Sequence, residues 1–137
     1  MISTEIYVSA PVSVVFDAWV NPSHIVNWYF ASADWCCPRA ELDCRVGGTF
    51  SIRMEAKDKS FGFDFNGTFT AVEQEKQLQY ILEDGRHVEL NLTPTAEGTQ
   101  IDWKFEPETQ NPEDFQQQGW QAILAHFKAY LEQPVVG

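Results

Sequence analysis

The sequence is poor in positive charge. It has 9 Lys and Arg residues against 20 Asp and Glu residues, which gives a net charge of −11 at pH 7 and an isoelectric point near 4.5. Proteins that bind nucleic acids or anionic membranes use a basic surface to neutralise phosphate groups. The few basic residues are scattered singly along the chain. The charge balance therefore predicts that neither a nucleic acid nor a membrane is a partner.

The chain also lacks long apolar segments. No run of about 18 apolar residues is present, so no transmembrane helix is predicted. Residues 1–5 have neither the basic region nor the apolar run of a signal peptide. There are 3 cysteines, an odd number that cannot all pair within the chain. These features predict a protein of the reducing cytoplasm.

The cysteines are candidate metal ligands. Cys36, Cys37 and Cys44 could bind a soft metal ion with His24 as a fourth ligand. Zinc sites usually separate paired cysteine ligands by about two to four residues, whereas Cys36 and Cys37 are adjacent. The alternative is that the thiols are small buried side chains. The spacing favours this alternative, so neither a metal nor a cofactor is predicted.

No catalytic motif stands out in the sequence. His24, His87 and His126 have no acidic or nucleophilic partner at a diagnostic spacing. His87 shares a predicted strand face with Glu89 and Asn91 and is expected to face water. His126 lies on the flank of the last predicted helix and is also expected to be solvated. Because catalytic triads assemble in space, an enzyme stays open as an alternative without any residue being assigned.

Aromatic residues, by contrast, are abundant. The chain has 10 Phe and 5 Trp among 137 residues, and 44% of all residues are hydrophobic. Such a composition excludes a disordered chain, and the length suits one domain, residues 1–137, with a sizeable core. Side chains this large either fill a core or line a cavity.

The longest regular pattern lies near the end of the sequence. Asn111 and Pro112 are typical of a helix N-cap and first helical position. The helix is predicted to continue until Pro134, over about 20 residues. Apolar residues recur on one face of it at spacings of three and four: Trp120, Ile123, Leu124, Phe127 and Leu131. This stripe needs a broad apolar surface to pack against.

Alternation of apolar and polar residues predicts that surface as a set of strands. A first strand is predicted at residues 2–8, short helices after Pro11 and after Asn21-Pro22, and a loop at residues 30–40. Further strands are predicted at residues 41–45, 49–56, 61–71, 78–82, 86–92 and 99–105. Gly67, in the middle of the clearest alternation, predicts a bulge that would let the sheet curl.

The predicted order is one strand, two short helices, about six antiparallel strands and one long helix. A large antiparallel sheet with bulky residues on one face twists and curls. If it wraps around the last helix, the apolar faces of sheet and helix are buried together. The sequence therefore predicts an α+β fold of the helix-grip type.

Particular residues from end to end resemble the START-like (SRPBCC) helix-grip superfamily. Within it, the chain resembles the bacterial homologues of the activator of the heat-shock-protein-90 ATPase. The matching residues are Ala10-Pro11-Val12, Val15-Phe16-Asp17-Ala18-Trp19, Asn21-Pro22, His24-Ile25, Trp28, Asp43, Arg45-Val46-Gly47-Gly48-Thr49-Phe50, Gly67-Thr68-Phe69, Asp84-Gly85-Arg86, Gly119-Trp120, Leu124 and Tyr130-Leu131.

This resemblance implies a cavity between the long helix and the sheet that holds a small hydrophobic or amphipathic molecule. It also implies two alternatives. One is a chaperone-interacting module with a role in the stress response, and the other is an enzyme that uses the same cavity, as some branches of the superfamily do. No catalytic motif is common to those branches, so none is transferred to this chain. The predicted partner is a small apolar molecule, and the predicted oligomeric state is a monomer or a homodimer.

The predicted ligand-binding residues are nine aromatic side chains and one methionine. They are Trp28, Phe30, Trp35, Met54, Phe63, Phe65, Tyr80, Trp103, Trp120 and Phe127. Each of them alone could simply belong to the core, but as a group they favour a pocket, because ligand sites are concave and mostly apolar. Arg39 and Arg53 are candidate anchors for an acidic ligand, although lone arginines more often form surface salt bridges.

Overall fold

The computed structural model describes residues 1–132. Its elements are β1 (Ile2–Val8), α1 (Val12–Val20), α2 (Pro22–Ile25), β2 (Trp35–Leu42), β3 (Thr49–Ala56), β4 (Gly62–Glu73), β5 (Gln77–Leu82), β6 (His87–Pro94), β7 (Thr99–Phe105) and α3 (Glu113–Leu131). The seven strands form one antiparallel sheet in the order β1-β7-β6-β5-β4-β3-β2. This confirms the predicted α+β helix-grip fold and the predicted order of elements.

Alternation places one side chain of every two on the inner face of the sheet. On β7, Ile101, Trp103 and Phe105 are fully buried while the residues between them are partly exposed. The helix α3 lays Leu124 and Phe127 against this face, and both are also fully buried. The core therefore lies between the inner face of the sheet and the long helix.

Side chains of α3 also cover the outer edge of β1. Gln121 Nε2 donates to the Glu5 carbonyl at 2.8 Å and Lys128 Nζ donates to the Tyr7 carbonyl at 2.7 Å. Edge strands expose unpaired backbone groups that invite pairing with another chain. The helix thus both closes over the inner face and satisfies part of this edge.

The N-terminal part of the sheet differs from the prediction at β2. Residues 35–40 were expected in a loop, but β2 spans Trp35–Leu42, and residues 43–45 of the predicted strand belong to the turn before β3. The prediction was wrong here because β2 is an edge strand with Pro38 and a register shift between Cys36 and Arg39. A proline and a bulge break the period of two by which strands are recognised.

Gly67 has a different role from the predicted one. The register shift of β4 lies between Phe69 and Ala71, not at Gly67. A Cβ atom on Gly67 would come within 2.6 Å of Cζ of Phe50. Glycine is therefore required at this position because the Phe50 ring on the neighbouring strand packs directly against the backbone.

The beginning of α3 was placed slightly too early. Pro112 occupies the N-cap with φ −57° and ψ 146°, and the helix begins at Glu113, so Asn111 is not the N-cap. The carbonyl of Asn111 instead accepts a hydrogen bond from Gln116. Pro134, where the helix was predicted to end, lies outside the described residues. Within residues 1–132, no helix is long and apolar enough to cross a membrane.

Candidate ligand-binding cavity

A cavity of about 570 Å³ lies between the first half of α3 and the inner face of the sheet. Aromatic side chains form most of its wall: Tyr29, Phe30, Trp35, Phe61, Phe63, Phe65, Trp103, Phe115 and Trp120. Met54 and Ile123 add aliphatic surface, and the polar side chains of Arg86, Glu108 and Gln116 lie at its border. A largely apolar concavity with a few polar groups is the usual form of a small-molecule site.

Most of the residues predicted from the sequence to bind a ligand meet at this cavity. Those that line it are Phe30, Trp35, Met54, Phe63, Phe65, Trp103 and Trp120. They come from the loop after α2, from β2, β3, β4 and β7, and from α3. Their role in ligand binding stays a prediction, but the structure brings them together around one space.

The remaining predicted residues, Trp28, Tyr80 and Phe127, lie in the core away from this cavity. Trp28 and Phe127 have no solvent exposure, and their ring centroids are 4.6 Å apart. Tyr80 is also buried and accepts a hydrogen bond from Trp103 Nε1 at 3.0 Å. The periodicity of the sequence correctly indicates that these side chains face inward. It does not indicate which part of the inner face is filled by side chains and which part borders a cavity.

Trp120 forms one wall of the cavity as part of an aromatic stack. Its ring lies 3.8 Å from that of Phe105 at an interplanar angle of 13°, and 4.4 Å from that of Trp103. Trp120 is half-buried, because its other side borders the cavity. One residue earlier on the helix, a Cβ atom on Gly119 would meet no atom within 4 Å. The lack of a side chain at Gly119 therefore leaves space beside Trp120.

One border of the cavity is fixed by the buried amide of Gln116. Its Nε2 donates to the carbonyls of Glu108 and Asn111 at 3.1 and 2.9 Å, and its Oε1 accepts from the Glu108 N–H at 2.9 Å. The carboxylate of Glu108 in turn accepts the backbone N–H groups of Gln110 and Asn111. The hydrogen bond from the Gln110 N–H has the largest effect on Glu108 and lowers its pKa. The hydrogen bonds from Asn111 and the nearby positive charge of Arg86 lower this pKa further. The segment between β7 and α3 is thus held in one conformation at the cavity border.

The arginine at the cavity is not one of the two that were predicted. Arg39 and Arg53 share Asp64 on the outer face of the sheet, with N–O distances of 3.1 and 3.6 Å. Arg86 instead lines the cavity, and its Nε lies 2.7 Å from Asp84 Oδ2. The signal for this was present in the sequence, because Arg86 precedes the buried Val88 by two residues and so shares its inward face.

Tyr29 is the most deeply buried polar side chain of the cavity wall. It is 3% exposed, and burial, together with the nearby Tyr80 and Cys37, raises its pKa well above the ordinary value of 10. Its hydroxyl therefore stays protonated at physiological pH and can donate a hydrogen bond.

The cysteines and histidines lie apart from one another. Cys36, Cys37 and Cys44 are free thiols, and burial raises the pKa of Cys37 to about 11. Within residues 1–132, no group of three or more His, Cys, Asp and Glu side chains could hold a metal ion. His24 Nδ1 instead lies 2.6 Å from the Tyr130 hydroxyl.

The other two histidines have backbone or carboxylate partners. His87 is exposed, as predicted, and its Nδ1 lies 2.5 Å from Glu106 Oε1. His126 was expected to be solvated, but it is half-buried and its Nδ1 hydrogen-bonds to the Phe30 carbonyl. This bond ties the loop after α2, which forms part of the cavity wall, to the middle of α3.

A second concavity of about 650 Å³ lies on the outer face of the sheet. Seven of its eleven lining residues are polar, among them Thr49, Ser51, Thr68, Glu41 and Glu83. Hydroxyl and carboxylate groups in an open groove are readily solvated by water. This groove is therefore a poorer candidate for an apolar ligand than the aromatic cavity under α3.

Comparison with known proteins identifies the family. The family described as "Activator of Hsp90 ATPase homolog 1-like protein" matches residues 9–132. The chain belongs to this family. This confirms the family resemblance that was recognised in the sequence.

Solved structures agree with this assignment. The solution structure of the protein of the same family from Aeromonas hydrophila is 41% identical, covers 96% of this chain and 91% of that chain, and superposes with a TM-score of 0.90. A solution structure from Cytophaga hutchinsonii is 43% identical, with the same coverage of both chains and a TM-score of 0.83. A crystal structure from Chromobacterium violaceum, 21% identical over 97% of this chain and 98% of that chain with a TM-score of 0.84, shares the fold. A search of curated proteins finds no match.

Proposed function

We propose that this domain binds a small hydrophobic or amphipathic molecule in the cavity between α3 and the sheet. The observation that carries the proposal is the cavity of about 570 Å³ lined by aromatic side chains. The exposed rings of Phe61, Phe63 and Phe115 lie at its border, so the cavity opens to solvent and is accessible to a ligand. A space of this size bordered by so much apolar surface is costly to leave filled with water, and an apolar occupant would remove that cost.

The free thiols and the acidic charge support a cytoplasmic location for this function. The proposal includes no metal and no cofactor. If the domain changes the bound molecule chemically, the same cavity would be the place of reaction. Conversion would then be detected as a product that accumulates with time when the isolated ligand is returned to the protein.

The proposal can be tested by filling the cavity. Gly119→Leu would place a side chain in the open space beside Trp120, on a helix where leucine is more favourable than glycine by about 0.5–1 kcal/mol. We expect this variant to be at least as stable as the parent but to lose ligand binding. Ala125→Leu places the same leucine side chain at an exposed position of the same helix and should leave binding unchanged.

Two measurements read out this comparison. Native mass spectrometry of protein purified from cells should show an added mass of hundreds of daltons on the parent and on Ala125→Leu, but not on Gly119→Leu. Titration with N-phenyl-1-naphthylamine, a neutral dye that becomes fluorescent in apolar sites, should show binding to the parent and to Ala125→Leu but not to Gly119→Leu. If Gly119→Leu binds the dye as tightly as Ala125→Leu does, the cavity is not the binding site.

A second candidate function is interaction with a chaperone. It is supported by the family description and by exposed aromatic residues at the cavity border, Phe61, Phe63 and Phe115, which are 66%, 43% and 65% exposed. Exposed aromatic surface often marks a site of protein interaction. The test is the ATPase rate of an Hsp90-type chaperone with and without this protein. Stimulation that is lost in the double variant Phe61→Ser, Phe115→Ser would support this function, and an unchanged rate would reject it.

A further inference from the structure

Two hydrogen-bond donors in the cavity wall have no acceptor within the described part of the chain. The first is the Tyr29 hydroxyl. It makes no hydrogen bond within residues 1–132, although the side chain is 3% exposed. Tyr29 lines the cavity and also a small void of about 20 Å³ that it shares with Tyr80. Because Tyr29 contributes to the cavity wall, an acceptor atom placed against it would satisfy its hydroxyl.

The second donor is the guanidinium of Arg86. Arg86 lies directly before β6 and lines the cavity, and its side chain is 21% exposed. Its Nε donates to Asp84 Oδ2 at 2.7 Å, and its terminal nitrogens make no hydrogen bond within residues 1–132. Removing a guanidinium from water is unfavourable when some of its N–H groups have no acceptor. An acceptor supplied by a bound molecule would complete its hydrogen bonds.

The charges near Arg86 decide what kind of acceptor fits. Asp84 already balances the positive charge, and the carboxylate of Glu108 also lies at the cavity border. The protein as a whole carries a net charge of −11. An anionic ligand would therefore meet two carboxylates for one guanidinium and would be repelled by the overall field. An uncharged acceptor oxygen avoids this repulsion and still accepts the free N–H groups.

We propose that the ligand of this cavity is an uncharged aromatic or aliphatic molecule with a ketone, ester or similar acceptor oxygen, hydrogen-bonded by Tyr29 and Arg86. This proposal rests on the proposed binding function and adds the chemical class of the ligand. The donors determine specificity, whereas the aromatic walls around Phe65 and Trp120 bind the apolar body. It differs from the sequence-based expectation that an arginine at the site would select an acidic ligand.

The experiment compares three probes that share one apolar body. 2-Acetylnaphthalene carries a neutral acceptor, 2-ethylnaphthalene carries none, and 2-naphthoate is an anion at pH 7. Their affinities are measured by calorimetry for the parent, Tyr29→Phe, Arg86→Met, and the double variant. Arg39→Met is the control, because it removes an equal charge on the outer face.

We expect the parent to bind the ketone about tenfold more tightly than the ethyl compound, as one net hydrogen bond to a buried donor would give. Each single variant should reduce this ratio only in part, because the other donor remains. The double variant should bring the ratio close to one. Arg39→Met should keep the full ratio. Because the two probes have nearly equal size, the ratio is insensitive to a general loss of stability.

The outcomes separate the two proposals. Equal binding of the ketone and the ethyl compound to the parent would overturn the inference about acceptor oxygens while the cavity remains a binding site. A ratio that persists in the double variant would overturn the assignment to Tyr29 and Arg86. Tighter binding of 2-naphthoate than of the ketone would show that the ligand class is anionic. If none of the three probes binds while native mass spectrometry still shows a bound molecule, this inference is rejected and the proposed binding function stands. If no probe binds and no bound molecule is found, both are rejected.

Discussion

The two halves of α3 carry the same apolar stripe but face different surroundings. In the second half, Leu124 and Phe127 are fully buried, and Phe127 lies against the rings of Trp19 and Trp28 at 5.2 and 4.6 Å. In the first half, Trp120 is half-buried and borders the cavity. The difference arises because α1 and the residues after α2 fill one end of the space between α3 and the sheet. No comparable element within residues 1–132 fills the other end. An apolar stripe therefore indicates which face of a helix turns inward, but not whether the space it meets is occupied.

The largest expected effect is at the closed end. Phe127→Ala removes a fully buried ring from the cluster with Trp19 and Trp28. Substitutions of this kind cost about 3–5 kcal/mol because they lose apolar burial and leave a void. The free energy of unfolding from urea denaturation should fall by this amount. A decrease of less than about 1 kcal/mol in the free energy of unfolding would mean that the core around Phe127 is packed no more tightly than the region around Trp120.

Trp120→Ala should have a smaller effect on stability and a larger one on binding. Because the ring is half-buried, its removal should cost roughly 2–3 kcal/mol, less than a fully buried aromatic residue. It should also remove the stacked wall that Trp120 forms with Phe105 and so weaken binding of an apolar dye. The comparison would fail if Phe127→Ala weakened dye binding more than Trp120→Ala did, with both variants still folded.

Gln116→Ala tests how firmly the border of the open end is held. The substitution removes an amide that makes three hydrogen bonds to the segment before α3. Leaving these backbone groups without partners should cost about 1–3 kcal/mol. Gln118→Ala, at an exposed position of the same helix, should stay within about 0.5 kcal/mol of the parent. Equal unfolding free energies for both variants would show that the Gln116 bonds do not stabilise the border.

The smallest expected effect is a dependence on pH at the same border. The pKa of Glu108 is lowered from its ordinary value of 4.5, chiefly by the N–H of Gln110. A carboxyl whose pKa is lower in the folded state stabilises that state above its unfolded pKa, and the contribution is lost as pH falls through the folded pKa. Glu108→Gln should therefore lower stability at pH 7 and reduce its decline below the ordinary pKa. Chemical denaturation at several pH values measures this, and parallel profiles of parent and variant would contradict it.

Local patterns were enough to predict most of the fold. The alternation of β7 and the three- and four-residue spacing on α3 each reflect the geometry of a single element, so they can be recognised without knowing its neighbours. Residues 35–40 of β2 were predicted as a loop because the pattern of this strand is interrupted by Pro38 and by a bulge, both of which relate to its position at the sheet edge. An edge position is a property of the whole sheet and has no signature within one strand.

The candidate site could be predicted only in outline. Inward-facing aromatic residues were identified from periodicity, but Trp28, Tyr80 and Phe127 proved to belong to the closed core. Arg39 and Arg53 were considered as anchors, whereas the inward-facing arginine is Arg86. The aromatic residues share one face, but their depth depends on what packs over them. The arginines differ because Arg39 and Arg53 pair with Asp64 on the outer face of the sheet, whereas Arg86 lines the cavity.

The sequence by itself determined the acidic charge, the order of strands and helices, the inward faces and the family, because these depend on residue types and on short-range spacing. The tertiary structure decided where the grip is closed and where it is open. That outcome depends on how α1, α2 and the two halves of α3 share the inner face of one curved sheet. Contacts between residues far apart in sequence fill one end with the rings of Trp19, Trp28 and Phe127 and leave a cavity at the other. Such contacts have no local pattern, so only the folded chain reveals them.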